Sequence, residues 1–152
     1  MTKQTLWKGL VAGAVAGAVA TLAKTIAEKY YPPRTHGEPE PSAALAEKLA
    51  GHQLDRKTKA VASGAIHWGF GVAAGAAYGA LAEYYPAASS RGGATFGLTL
   101  LALTHETALP ALGLEAPAEE QTAREHSSEA ATHVVYGVVA ERVRRLARRV
   151  LG

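Results

Sequence analysis

In the stretch EHSSEAATHVVYG (residues 125–137), His126, Glu129 and His133 stand at spacings of three and four. At about 100° per residue their side chains share roughly a 60° arc of one helix face. Two imidazoles and a carboxylate on one face can hold a metal ion or pass a proton, since both roles need lone pairs that titrate near neutrality. Gly137 and Ala140 continue that face and leave it smooth enough for a neighbouring helix to approach closely. His67 and His105 are the imidazoles carried by other apolar segments. The candidate site is therefore His67, His105, Glu129 and His133, with Lys24, Glu28, Glu106 and His126 as the polar groups around it. His36 and His52 fall in a loop and read as solvated.

These side chains must be positioned by helices. The 152 residues suit one domain, and the absence of cysteine excludes disulfides, thiolate metal sites and thiol nucleophiles. No G-x-S-x-G, Walker-type or zinc-protease motif occurs. Apolar residues make up 48% of the chain, yet mean hydropathy is near zero, so a membrane reading depends on individual segments. Residues 6–27 and 60–82 are apolar enough to span a bilayer, with Lys8 and Lys24 snorkelling at the ends of the first. Residues 92–114 form a third span, broken by His105, Glu106 and Pro110, and about 128–146 a short fourth running into arginines. A secretory leader is the competing reading of residues 6–27.

Between the first two spans, Pro32, Pro33, Pro39 and Pro41 exclude helix from the first half of the connection. SAALAEKLAG then predicts a short amphipathic helix at the bilayer interface, with Ser42 as N-cap and Gly51 as the stop. Asp55 is placed to cap the second span. Residues 115–128 read as an acidic loop. The expected fold is all-α: a single-domain, four-helix transmembrane bundle with a short interfacial helix between helices 1 and 2.

Gly9, Gly13 and Gly17 repeat every four residues in the first span, and Gly71, Gly75 and Gly79 do so in the second. Such stripes let backbones approach in hydrocarbon, either within a bundle or between copies of a homo-oligomer. They also orient the polar groups. His67 shares the second stripe, and Lys24 and Glu28 fall within about 20° of the first, so these groups point inward and away from lipid. In an up-down-up-down bundle, Lys24, Glu28, His67, His105, Glu129 and His133 all lie within roughly 10 Å of one membrane face.

Several pieces together resemble the YagU-like family of small bacterial inner-membrane proteins. They are PPR (32–34), IHWGFG (66–71), AAYGALAEYYP (76–86), THETALPALGL (104–114) and SSEAATHVVYGVVAERVRR (127–145). The resemblance implies a multi-pass protein of the bacterial cytoplasmic membrane and brings no established reaction with it.

Four roles remain open for the cluster. It can bind a divalent metal (zinc, iron or manganese suits imidazole and carboxylate), carry protons, hold haem between paired histidines, or serve only to fix helix packing. Lys24 and Glu28 read as an i, i+4 ion pair. Pro110 lacks an N–H and frees the carbonyl of Glu106, and Glu106 points about 100° from His105, so both can serve one site only if the helix is distorted. At the opposite end, Glu83, Arg91, Glu141, Arg142 and Arg145 suggest salt bridges and lipid-headgroup contact. The arginine-rich tail has no aromatic residues for base stacking, so no nucleic-acid role is expected. Lys and Arg near span ends favour both termini inside the cell, by eight charges against seven.

Overall fold

The computed structural model describes residues 5–34 and 37–152; Lys3 and His36 lie outside the described residues. Among the described residues all regular structure is helical. The helices are α1 (Leu6–Tyr30), α2 (Pro41–Ala50), α3 (Arg56–Tyr84), α4 (Ala94–Leu103) and α5 (Ala123–Leu151). A π-turn, Thr104–Ala108, and one α-turn, Leu109–Ala111, extend α4.

The caps explain where the boundaries differ from expectation. α5 begins five residues before 128 because Thr122 and Glu125 form a capping box: Thr122 Oγ1 accepts from Glu125 N–H, and the Glu125 carboxylate accepts from Thr122 N–H. α2 starts at Pro41, whose missing N–H costs nothing in a first turn, so Ser42 is not its N-cap. The Ser42 hydroxyl instead meets that of Ser63 on α3 at 2.8 Å. Gly51 ends α2 in the left-handed conformation (φ 74°), as expected. Asp55 caps α3 by accepting from the N–H groups of Lys57 and Thr58 at 3.0 and 3.1 Å.

α1 packs against α3 and α5, α4 packs against α5, and α2 lies on α3. The two glycine stripes meet each other inside the chain. Gly9 faces Gly79, Gly13 faces Gly75 and Gly79, and Gly17 faces Gly71 and Gly75, which makes α1 and α3 antiparallel. A Cβ on Gly13 would stand 2.2 Å from the Gly75 carbonyl oxygen. Within the chain, each stripe is thus occupied by the other. A second close approach joins α4 to α5, where Gly93 and Gly97 seat against Gly137 and the backbone at His133.

The inside of the molecule is small or polar. Ala16, Ala20, Tyr78, Tyr136 and Ala140 form the apolar core, with Phe96 stacked on Tyr78 at 4.1 Å between ring centroids. Thr21, Lys24, Ser63, Ser128, Glu129, Thr132, His133, Glu141 and Arg144 are also buried. Large apolar side chains lie outside: Leu10, Val11, Val15, Val19, Leu22 and Ile26 line the exposed face of α1, and Trp68 and Phe70 are exposed on α3. By length and composition, α1 and α3 are able to cross a membrane.

Candidate functional site

The antiparallel arrangement places the end of α1, the π-turn after α4 and the first turns of α5 together. The π-turn is set locally. Pro110 cannot donate to the carbonyls behind it, and the hydroxyls of Thr104 and Thr107 take up the Leu100 and Ala102 carbonyls, each at 2.7 Å. This is the distortion that lets consecutive residues reach the same neighbouring helix. His105 reaches Glu129 and His133, while Glu106 Oε1 lies 3.2 Å from His126 Nδ1.

His105, Glu129 and His133 each offer one ligand atom, and the three atoms lie within 4.8 Å of one another. The two imidazoles stand edge to face with centroids 4.9 Å apart. Their Nδ1 atoms are both committed. His133 Nδ1 donates to the backbone carbonyl of Glu129 at 2.8 Å, one helical turn back, and His105 Nδ1 donates to Glu115 Oε2 at 2.7 Å. Carbonyl and carboxylate oxygens only accept, so each Nδ1 carries the hydrogen of its bond.

Glu129 is the centre of charge. It is 2% exposed, and its Oε1 lies 3.4 Å from Arg34 Nη1 and 3.6 Å from His105 Nδ1. Its Oε2 is buried without a hydrogen-bond partner among the described residues; His133 Nδ1 is 3.4 Å away and Lys24 Nζ 3.9 Å. Lys24 is paired with Glu28, and Arg34 Nη1 is 3.4 Å from Glu115 Oε1. With neutral imidazoles, two cations (Lys24, Arg34) face three carboxylates (Glu28, Glu115, Glu129), leaving one net negative charge.

Of the residues anticipated for the site, His67 stands apart. Its Nε2 lies 3.2 Å from Thr25 Oγ1 of α1, and it is not among the three converging groups. The helical period placed it on the stripe face, but its ring meets α1 before it can reach α5. His126 and Glu106 pair with each other, and His126 Nε2 also meets the Ala118 carbonyl at 2.8 Å. His52 is exposed, with Nδ1 3.1 Å from the Gln53 carbonyl. Sequence reasoning missed Glu115 and Arg34. Both sit in loops without periodicity, yet each follows a helix that ends at the cluster, so the depth argument applied to the ion-rich helix ends would have found them.

At the other end of the bundle, Glu141 accepts from Tyr78 Oη at 2.7 Å and from Arg144 Nε at 2.8 Å, and also pairs with Arg145. Glu83 pairs with Arg148 and accepts from the Thr5 N–H at 3.2 Å. Arg144 and Arg148, three and seven residues beyond Glu141, are the buried arginines of this end; Arg142 and Arg91 are exposed.

The fold and site define an all-helical protein with two apolar helices of membrane-crossing length and a buried His/Glu cluster at one end. The family model described as "Protein of unknown function (DUF1440)" matches residues 18–142, and the chain belongs to that family. The matched span contains Lys24, Arg34, His105, Glu115, Glu129 and His133. No curated protein and no solved structure matches the chain.

Proposed function

We propose that this chain is a multi-pass protein of the bacterial cytoplasmic membrane that binds a divalent transition-metal ion through His105, Glu129 and His133. One observation carries the metal reading: His105, Glu129 and His133 each offer a ligand atom within 4.8 Å of the others, the buried Glu129 Oε2 has no hydrogen-bond partner among the described residues, and each imidazole is held by an oxygen acceptor on Nδ1. A metal-bound histidine is ordinarily oriented in this way, by a carboxylate or carbonyl on its other nitrogen. The Glu115–His105 bond supplies the carboxylate version and Glu129 O–His133 the carbonyl version. Two imidazoles and one carboxylate suit zinc, iron(II) or manganese(II) and leave coordination positions open. Rings 4.9 Å apart leave no room for a macrocycle between them, which argues against haem held by this pair.

The membrane reading rests on the inverted distribution of side chains. Charged and hydroxyl groups are inside and leucine, valine and tryptophan outside, and the YagU-like resemblance points the same way. In this reading the four spans lie within α1, α3, α4 with its π-turn, and the part of α5 from about 128 to 146. α2 lies at the interface, and the cluster faces the periplasmic side.

Cobalt(II) titration of metal-stripped, detergent-purified protein tests the site. One equivalent should bind at neutral pH, and binding should weaken at acid pH, because imidazole ligands must be deprotonated. His133→Ala should lose at least about tenfold in affinity, and Glu115→Ala about 10- to 100-fold as its orienting bond is lost. No stoichiometric uptake by the wild type would overturn the metal reading. In that case an imidazole titration abolished by His133→Ala would assign the cluster to proton handling, and a small loss of stability alone would leave it as a packing device.

A further inference from the structure

A cleft of about 340 Å³ opens beside the cluster, between the connection that follows α1 and the loop that precedes α5. Its wall includes five carboxylates (Glu38, Glu115, Glu120, Glu125 and Glu129) and one guanidinium, Arg34. Glu129 therefore lines both the cleft and the histidine group, and the cleft is the acidic approach to it. Arg34 stands where the two meet. Its Nη1 is 3.4 Å from Glu115 Oε1 and 3.4 Å from Glu129 Oε1. Strong charge-assisted N–H···O bonds run at about 2.7–2.9 Å, so the guanidinium bridges both carboxylates without a tight bond to either.

Building on the metal reading above, we infer that Arg34 is a tethered cation that competes with the metal ion for Glu129 and closes the inner end of the acidic cleft. The argument is electrostatic. A divalent ion at His105, Glu129 and His133 would sit within a few ångströms of the guanidinium, and like charges at that distance repel strongly in a site so poorly solvated. Binding of the ion must drive Arg34 outward. Glu120, in the wall of the same cleft, gives the guanidinium another carboxylate to meet. Its backbone is anchored meanwhile: Pro32 and Pro33 precede it, and the Pro32 carbonyl accepts from Arg124 Nη1 at 3.0 Å. When the ion leaves, Arg34 returns and neutralises Glu129. The same acidic wall raises the local concentration of cations at the mouth.

Cobalt(II) affinity of the full-length protein in detergent tests this with Arg34→Gln, Arg34→Lys and Glu129→Gln. Arg34→Gln should bind about tenfold more tightly than wild type, Arg34→Lys should stay near wild type, and Glu129→Gln should bind weakly with or without the Arg34 change. In the wild type, modification of Arg34 by a dicarbonyl reagent, read by mass spectrometry, should accelerate when cobalt is added. That measurement decides the matter if Arg34→Gln does not fold. Wild-type binding with no gain in Arg34→Gln, or no change in Arg34 reactivity, overturns the competing-cation role and leaves the metal site standing. Failure of both wild type and Arg34→Gln to take up cobalt overturns the metal site itself, and this inference with it.

Discussion

His126 shows how one residue's surroundings set a pH dependence. The Ala118 carbonyl at its Nε2, with a smaller contribution from Glu106 at Nδ1, raises its pKa above the ordinary 6.5. The folded protein thus holds the imidazole proton more tightly than the unfolded chain does. The resulting stabilisation is complete below 6.5 and fades as pH rises through the raised folded value. Wild type should therefore melt at a higher temperature than His126→Gln at mildly acidic pH, and the gap should shrink as pH rises above the ordinary imidazole value. Thermal melts of both proteins across that range check this; a gap that widened with rising pH would contradict it. Glu129 illustrates the opposite case at the same scale. Its burial is tolerable because Lys24 and Arg34 stand within 4 Å, a compensation made by two elements far apart in sequence.

At the scale of elements, glycines determine how near helices come and so whether the site exists. His105 rides on the continuation of α4, and α4 is held to α5 by Gly93, Gly97 and Gly137. A Cβ on Gly97 would lie 2.0 Å from the His133 carbonyl oxygen, which is backbone and cannot swing aside. Gly97→Val should therefore push α4 outward, cost about 1–3 kcal/mol, and carry His105 away from Glu129 and His133. Gly64 is the control, since nothing lies within 4 Å of a Cβ built there. Gly64→Ala should be neutral or stabilise α3 by up to about 1 kcal/mol, through helix propensity alone. Melting in detergent separates the two variants, and equal effects from both would refute the close-packing account.

For the whole molecule, the distribution of side chains decides the environment. The apolar face of α1 and the exposed Trp68 and Phe70 of α3 would present a continuous apolar surface to water. The protein should sediment with membranes and resist carbonate extraction, and recovery as a detergent-free soluble monomer would oppose this. Arg144 and Arg148 are held in buried pairs with Glu141 and Glu83, whereas Arg142, Arg145 and Arg149 are exposed along the last turns of α5, Arg145 also pairing with Glu141.

Periodicity in the sequence determined which residues share a helix face and how far along each helix they lie. From that followed the helices, the inward aim of the glycine stripes, the Lys24–Glu28 pair and the gathering of polar groups at one end. A helix's own repeat depends only on local backbone geometry, so it can be read without knowing the neighbours. Rotation and lateral placement are different, because every helix adjusts to the others when their surfaces are fitted together. Only the tertiary structure decided that the two stripes face each other, that His67 meets Thr25, and that Arg144 and Arg148 are the buried arginines. Glu115 and Arg34 belong to the same class. They lie in loops whose backbone has no repeat, and they join the site because prolines, a capping box and a π-turn bring three chain ends to one point.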